Sequence, residues 1–189
     1  MADNPAPVVR RFARYRPTER DIDGRHFWAV PEGGLCLSVF VIVTPPGDPT
    51  RVLAGRPDPA APWSTYATLE ATHLAAIGDR WILPASHLLE FEGPLEAAGR
   101  VAREQLSAPG LAMDGPEVAS EVYPSVLDPE SGSHWDLHFL FRSAGAVSLT
   151  PPPAAWRELA WLQTRDLSRA AFARGHGDIL ALAGIRLRV

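Results

Sequence analysis

Glu92, Glu96, Arg100 and Glu104 follow one another at intervals of four residues. In a helix this spacing brings carboxylates and a guanidinium together on one side. Carboxylates so placed can hold a divalent cation or move a proton. Ordinary surface ion pairs, each contributing only about 0.3–0.5 kcal/mol, have the same spacing. The spacing alone leaves both readings open. A second constellation is His134-Trp135-Asp136-Leu137-His138-Phe139. On a strand, His134, Asp136 and His138 share one face and the apolar residues the other. Two imidazoles and a carboxylate suit a transition metal or a phosphate contact. Residues i and i+4 on a flat strand lie about 13 Å apart, so these three do not suit one ion together, and an ordinary polar face is the simpler reading.

The elements that must position these residues read as mixed α/β. Residues 35–43, LCLSVFVIV, suit a central strand buried on both faces. Pro45-Pro46-Gly47-Asp48 predicts a turn, with residues 51–55 returning as hairpin partner of that strand. Residues 65–76 predict a short helix capped by Thr65. Residues 81–83 read as a short strand, 84–91 as an extended loop, and 94–107 as a helix with Pro94 in its first turn. Leu95, Ala98, Gly99, Ala102 and Leu106 form its apolar stripe, which puts Arg100 on the other side. Residues 134–141 and 158–163 predict later strands. Residues 1–34 form an N-terminal extension with a possible edge strand at 26–30, and 35–189 form the domain.

Composition excludes several classes. Hydrophobic residues make up 46% and charged residues 21%, which suits a soluble globular chain. A net charge of −4 argues against a general nucleic-acid or anionic-membrane surface. The single cysteine, Cys36, sits in an apolar run and reads as a small buried hydrophobe. The arginines at positions 10, 11, 14 and 16 are followed by no apolar segment of the signal-peptide kind. The run 35–43 is too short to span a bilayer. A cytoplasmic protein with no nucleic-acid or membrane partner is expected; a homodimer is compatible.

Residues 83–111 resemble the Nudix box, the loop-helix-loop signature of the Nudix hydrolases. Leu83-Pro84 match the approach to the box, Glu92 its first Glu, Arg100 its Arg and Glu104 the first of its paired Glu. The strand order before and after the box agrees, as does Glu158-Leu159-Ala160-Trp161-Leu162, which resembles the penultimate strand. The resemblance covers roughly residues 35–183. It implies a Nudix-like α/β/α sandwich with a mixed β-sheet, the box packed on it, and Mg²⁺ or Mn²⁺ as cofactor. It also implies that Glu92 and Arg100 act as an internal brace.

Departures from the box bear on chemistry. Where the family carries metal-binding carboxylates, this chain has Val101, Glu104 and Gln105, one carboxylate instead of three. Ser86 and Ser107 replace motif glycines, and either strains the backbone if its position needs positive φ. Glu104 is therefore the candidate metal ligand and catalytic group, and reaches the lower limit for a Mg²⁺ site assisted by substrate phosphates. Losing a positioned general base costs about 10²- to 10⁴-fold in rate. Replacement acids are sought in Glu90 as a metal ligand and, after the box, in Glu117, Glu121, Asp128 and Glu130, among which no spacing singles one out, with Glu121 carried as the catalytic candidate; Glu158 suits a fold role at a strand start as well. His87, His138 and Trp63 are the candidate binding residues, with Trp63 expected exposed in a Pro-rich loop where it could stack on a base.

Two functions follow as expectations. The favoured one is a Nudix-superfamily protein with a degenerate box, weak or lapsed in pyrophosphate-bond hydrolysis, that binds a nucleotide-type or other phosphorylated ligand. The other is an active Mg²⁺- or Mn²⁺-dependent hydrolase of a nucleoside-diphosphate-linked substrate, its carboxylates relocated.

Overall fold

The computed structural model describes residues 19–22, 25–28, 35–67, 69–89, 91–123 and 134–188, the first two segments as backbone alone. Strands β1 (Glu19–Ile22) and β2 (Arg25–Trp28) pair antiparallel as a separate ribbon. Strand β3 (Leu35–Thr44) is apolar along its inner length except for Ser38 and becomes the centre of a mixed sheet. It pairs in parallel with β7 (His134–Ala144) and antiparallel with the short β5 (Ala85–His87). Strand β6 (Asp114–Tyr123) adds to β7, so the order is β5-β3-β7-β6. A second ribbon joins β4 (Arg51–Pro57) antiparallel to β8 (Trp156–Gln163).

Strand alternation sends β3 residues into two cores. Val39, Val41 and Val43 meet Ala97, Ala98, Val101 and Leu106 from helix α3 (Pro94–Glu104) and its C-terminal turn. Helices α1 (Trp63–Ala67) and α2 (Ala71–Ile77) contribute Trp63 and Ile77 to this side. Phe40 and Ile42 point the other way, with Leu140, onto Ile179 and Leu180 of helix α4 (His176–Leu182). The result is the expected α/β/α sandwich, in which α3 and α4 pack on opposite faces of one sheet.

Several local expectations change. Residues 51–55 do not pair with β3, because β5 and β7 already occupy both of its edges; they pair with β8. The segment read as loop at 84–91 supplies β5, while Trp81 and Ile82 make isolated bridges to Phe172 and Gly55. The helix expected over 65–76 is two helices, α1 and α2. In α3, Leu95 is 60% exposed and Arg100 is buried. The inward face runs through Ala97, Ala98, Val101 and Ala102; it keeps Ala98, Ala102 and Leu106 of the expected stripe and is turned toward the buried guanidinium, away from Leu95. The expected edge strand at 26–30 is described only as part of β2, and residues 29–30 lie outside the described residues. No helix among the described residues is long and apolar enough to cross a membrane.

Gly55 is required where β4 passes the Trp156 indole: a Cβ there would lie 2.2 Å from Cε3. The indole is itself held by its Nε1–H, which donates to the Gln105 carbonyl at 2.7 Å. Gly55→Ala should therefore destabilise the chain by about 1–3 kcal/mol, the range for overpacking; chemical denaturation of the variant measures it.

Candidate functional site

Arg100, buried on α3, organises the box. Its Nε and Nη2 donate to the two carboxylate oxygens of Glu92, at 2.8 and 2.9 Å. Nη2 also donates to the His87 carbonyl at 2.9 Å, and Nη1 to Ser86 Oγ at 3.2 Å. Glu92 Oε2 in turn accepts the Leu89 N–H at 2.8 Å. One guanidinium thus ties the loop after β5 to strand β5 itself, in the bidentate geometry that arginine favours. Ser86 lies in β5, where no positive φ is needed, whereas Ser107 adopts φ 51 after the helix. The strain foreseen for the missing glycines therefore falls on Ser107 alone, a cost of about 1 kcal/mol relative to Gly.

The remaining box positions are used for packing. Val101 is fully buried in the core with Ala97 and Ala98. Gln105, also fully buried, accepts the Ala85 N–H through Oε1 at 3.2 Å and donates Nε2–H to the Ala85 carbonyl at 2.7 Å. Both ends of its amide are thereby occupied. Glu104 keeps one buried oxygen, Oε2, without a hydrogen-bond partner among the described residues, 3.7 Å from Arg100 Nη1. This donor set does not fit the three-carboxylate cation site that the resemblance implies.

A different group of side chains converges on the other face of the sheet. Across β5, β3 and β7, His87, Ser38 and His138 stand in register. One step along, Glu121 of β6 faces Asp136 of β7. Ser38 Oγ lies 2.6 Å from His138 Nδ1, and His138 Nε2 lies 3.2 Å from Glu121 Oε1. One ligand atom from each of Glu121, Asp136 and His138 lies within 4.8 Å of the other two. These residues line a cavity of about 70 Å³ together with Ser38, His87, Trp63, Arg174 and His176.

His176 accepts the Leu83 N–H on Nδ1 at 2.8 Å and meets the Phe40 ring edge-on at 5.1 Å. Burial, reinforced by the positive charge of Arg174 and by His138, lowers its pKa from 6.5 to about 3. It therefore stays neutral at physiological pH, and its remaining ring nitrogen carries the proton.

The cavity thus brings together Glu121, His138, His87 and Trp63, which the sequence nominated separately. Trp63 differs from expectation: it is 1% exposed, with its ring edge-on to Trp156 at 4.9 Å. The Pro-rich loop ends where α1 begins, and the indole turns into the core, so it offers no open face for a base. Glu104 does not line this cavity. Glu90, Asp128 and Glu130 lie outside the described residues, as does the His134 side chain. Sequence reading missed Ser38, Arg174 and His176. Alternation of β3 puts Ser38 beside Phe40, but only the β3–β7 register brings it to His138. Nothing in the chain order signals Arg174 or His176.

No family model matches the sequence, and no curated protein is significantly similar to it. Solved structures are similar in fold. A Nudix hydrolase from Nitrosomonas europaea superposes with a TM-score of 0.50 at 12% identity, over 82% of this chain and 93% of that one. The Nudix domain of NrtR from Shewanella oneidensis, solved with ADP ribose, superposes with a TM-score of 0.50 at 16% identity, over 79% of this chain and 86% of that one.

Two outcomes test this geometry. Gln105→Glu turns a donor into an acceptor against the Ala85 carbonyl, and should cost about 1–3 kcal/mol of stability, the penalty for a buried unsatisfied polar group; a urea titration reads it. For His176, the unfolded chain binds a proton below pH 6.5 that the folded chain refuses until about pH 3. Its contribution therefore makes stability fall as pH is lowered through that window and gives no slope above it. In His176→Gln, whose carbonyl oxygen can still accept from Leu83, the fall over this window should be shallower; denaturation midpoints at a series of pH values check it. By its architecture and its superpositions, the chain has the Nudix fold.

Proposed function

We propose that this chain is a Nudix-superfamily protein that has lapsed as a box-dependent hydrolase and binds a nucleotide-type or other phosphorylated ligand. The observation that carries the reading is the fate of Val101 and Gln105. One is fully buried in the core and the other spends its amide on Ala85, so neither could turn to a cation without loss of packing or hydrogen bonds. The ADP ribose held by the Shewanella oneidensis Nudix domain supports a ligand of nucleoside-diphosphate type. Arg174 supplies a cation at the cavity wall and His87 and Ser38 supply polar groups. A cavity of about 70 Å³ is far below the several hundred Å³ of a typical ligand pocket. It admits a phosphate-sized group, leaving sugar and base outside.

A second reading, an active Mg²⁺- or Mn²⁺-dependent hydrolase of a nucleoside-diphosphate-linked substrate with relocated carboxylates, is favoured by Glu121 and Asp136 meeting across β6 and β7. One experiment separates the two. Pyrophosphate and phosphate release is followed over a panel of nucleoside diphosphate derivatives with Mg²⁺ and Mn²⁺, alongside thermal shift with the same compounds. The lapsed reading expects a rise in melting temperature with at least one compound and no turnover. Turnover abolished by Glu104→Gln would overturn it in favour of a working box. Turnover that survives Glu104→Gln and disappears in Glu121→Gln would establish the relocated site instead.

A further inference from the structure

We propose that Glu121, Asp136 and His138 are the protein ligands of a divalent transition-metal site, of the kind Zn²⁺ fills, on the sheet face opposite the box helix. The face is set by strand alternation. Val39 and Phe141 pack with α3, while Phe40 and Leu140 pack with α4. Ser38, Asp136 and His138 share the parity of Phe40 and Leu140 on β3 and β7. The site is therefore separate from Glu104; it lies in the cavity assigned above to the phosphorylated ligand, but needs no such ligand to form.

Three features point to a cation. Glu121 and Asp136 are directly opposed on antiparallel strands, and one ligand atom from each lies within 4.8 Å of the other and of His138. Asp136 is buried while the Glu121 side chain is 27% exposed, so the cluster is sheltered yet keeps a path from solvent. Two carboxylates and an imidazole at this separation can share one divalent ion. His138 is the second feature. Its ring is buried, packed edge-on against Phe40 at 5.4 Å, and its Nδ1 is engaged by Ser38 at 2.6 Å. With an ion bound, Nδ1–H would donate to Ser38 Oγ and free the Nε2 lone pair for the metal in place of its 3.2 Å contact with Glu121, which is how a ligating histidine is oriented by its other nitrogen. The third is the volume. About 70 Å³ holds an ion with one or two waters, each water occupying about 30 Å³ in the liquid.

The donor set selects the ion. One imidazole nitrogen and two carboxylates leave a position open to water, the pattern of three-ligand zinc sites. Imidazole favours Zn²⁺ and its neighbours over Mg²⁺ and Ca²⁺, which prefer oxygen alone. Ser38 is a positioning residue, acting on the metal only through the His138 ring.

Calorimetric titration of the tag-free full chain with Zn²⁺, without nucleotide, tests the proposal. The expected result is one ion per chain, with Mg²⁺ weaker by about tenfold or more. Glu121→Gln and Asp136→Asn should each weaken Zn²⁺ binding by about tenfold or more, and Ser38→Ala by about tenfold; Glu104→Gln should leave it unchanged. Glu121 lies on the edge strand and is partly exposed, so its variant is expected to fold even if His138→Gln does not, and its melting curve verifies this. Absence of Zn²⁺ uptake by folded wild type, uptake unaffected by Glu121→Gln and Asp136→Asn, or uptake lost in Glu104→Gln would overturn it. Because no nucleotide is present, failure here and failure of ligand binding are read independently.

Discussion

The buried ion pair between Arg100 and Glu92 is the interaction on which the rest of this structure depends. A guanidinium with 3% side-chain exposure, beside a carboxylate with 4%, is tolerated only when its donors are paired. Here Glu92, Ser86 and His87 accept from it. Removing Arg100 would leave the buried Glu92 carboxylate unpaired, a cost of about 3–5 kcal/mol, and removing Glu92 would leave Arg100 only the more distant Glu104, at 3.7 Å. The pair therefore determines how α3 is rotated on the sheet. Leu95 is turned out, and Ala97, Ala98 and Val101 are turned in. It also holds β5 against the edge of β3, and β5 carries His87 to the opposite face.

This rotation has a chemical consequence. With Arg100 pointing inward, Val101 follows it into the core, and Gln105, one turn beyond Val101, meets the backbone of Ala85. A carboxylate at either position would be buried and would need a cation or a donor to pair it. A valine and a glutamine instead gain apolar contacts and two hydrogen bonds. The helix has become more thoroughly structural than its sequence resemblance implies. Polar groups able to bind a ligand gather where the β3, β6 and β7 registers bring Ser38, Glu121, Asp136 and His138 together. That face packs with α4, whose own His176 is kept neutral by burial.

How much of this was legible in the sequence depends on the range of the interaction involved. The central strand at 35–43, the helix beginning at Pro94 and the Glu92–Arg100 spacing are local patterns, and they lead directly to the α/β/α sandwich. Pairing partners are not local. Residues 51–55 look like a hairpin return, but β3 has its edges filled by segments about 45 and 100 residues further on, so β4 goes to β8. The candidate site was half legible for the same reason. His138 and Glu121 were visible as residue types, and Asp136 was visible beside His138. Their convergence depends on Glu121 facing Asp136 across two strands. Trp63 was misjudged because proline content speaks for a loop and says nothing about which way the residue ending that loop points.

The proposed metal site lies on the sheet face opposite the box helix. Anomalous diffraction at the zinc edge, from crystals grown with Zn²⁺ and ADP ribose, locates the metal directly. The account predicts an anomalous peak bounded by Glu121, Asp136 and His138, with none at Glu104. A peak at Glu104, with the sheet cluster empty, would contradict it.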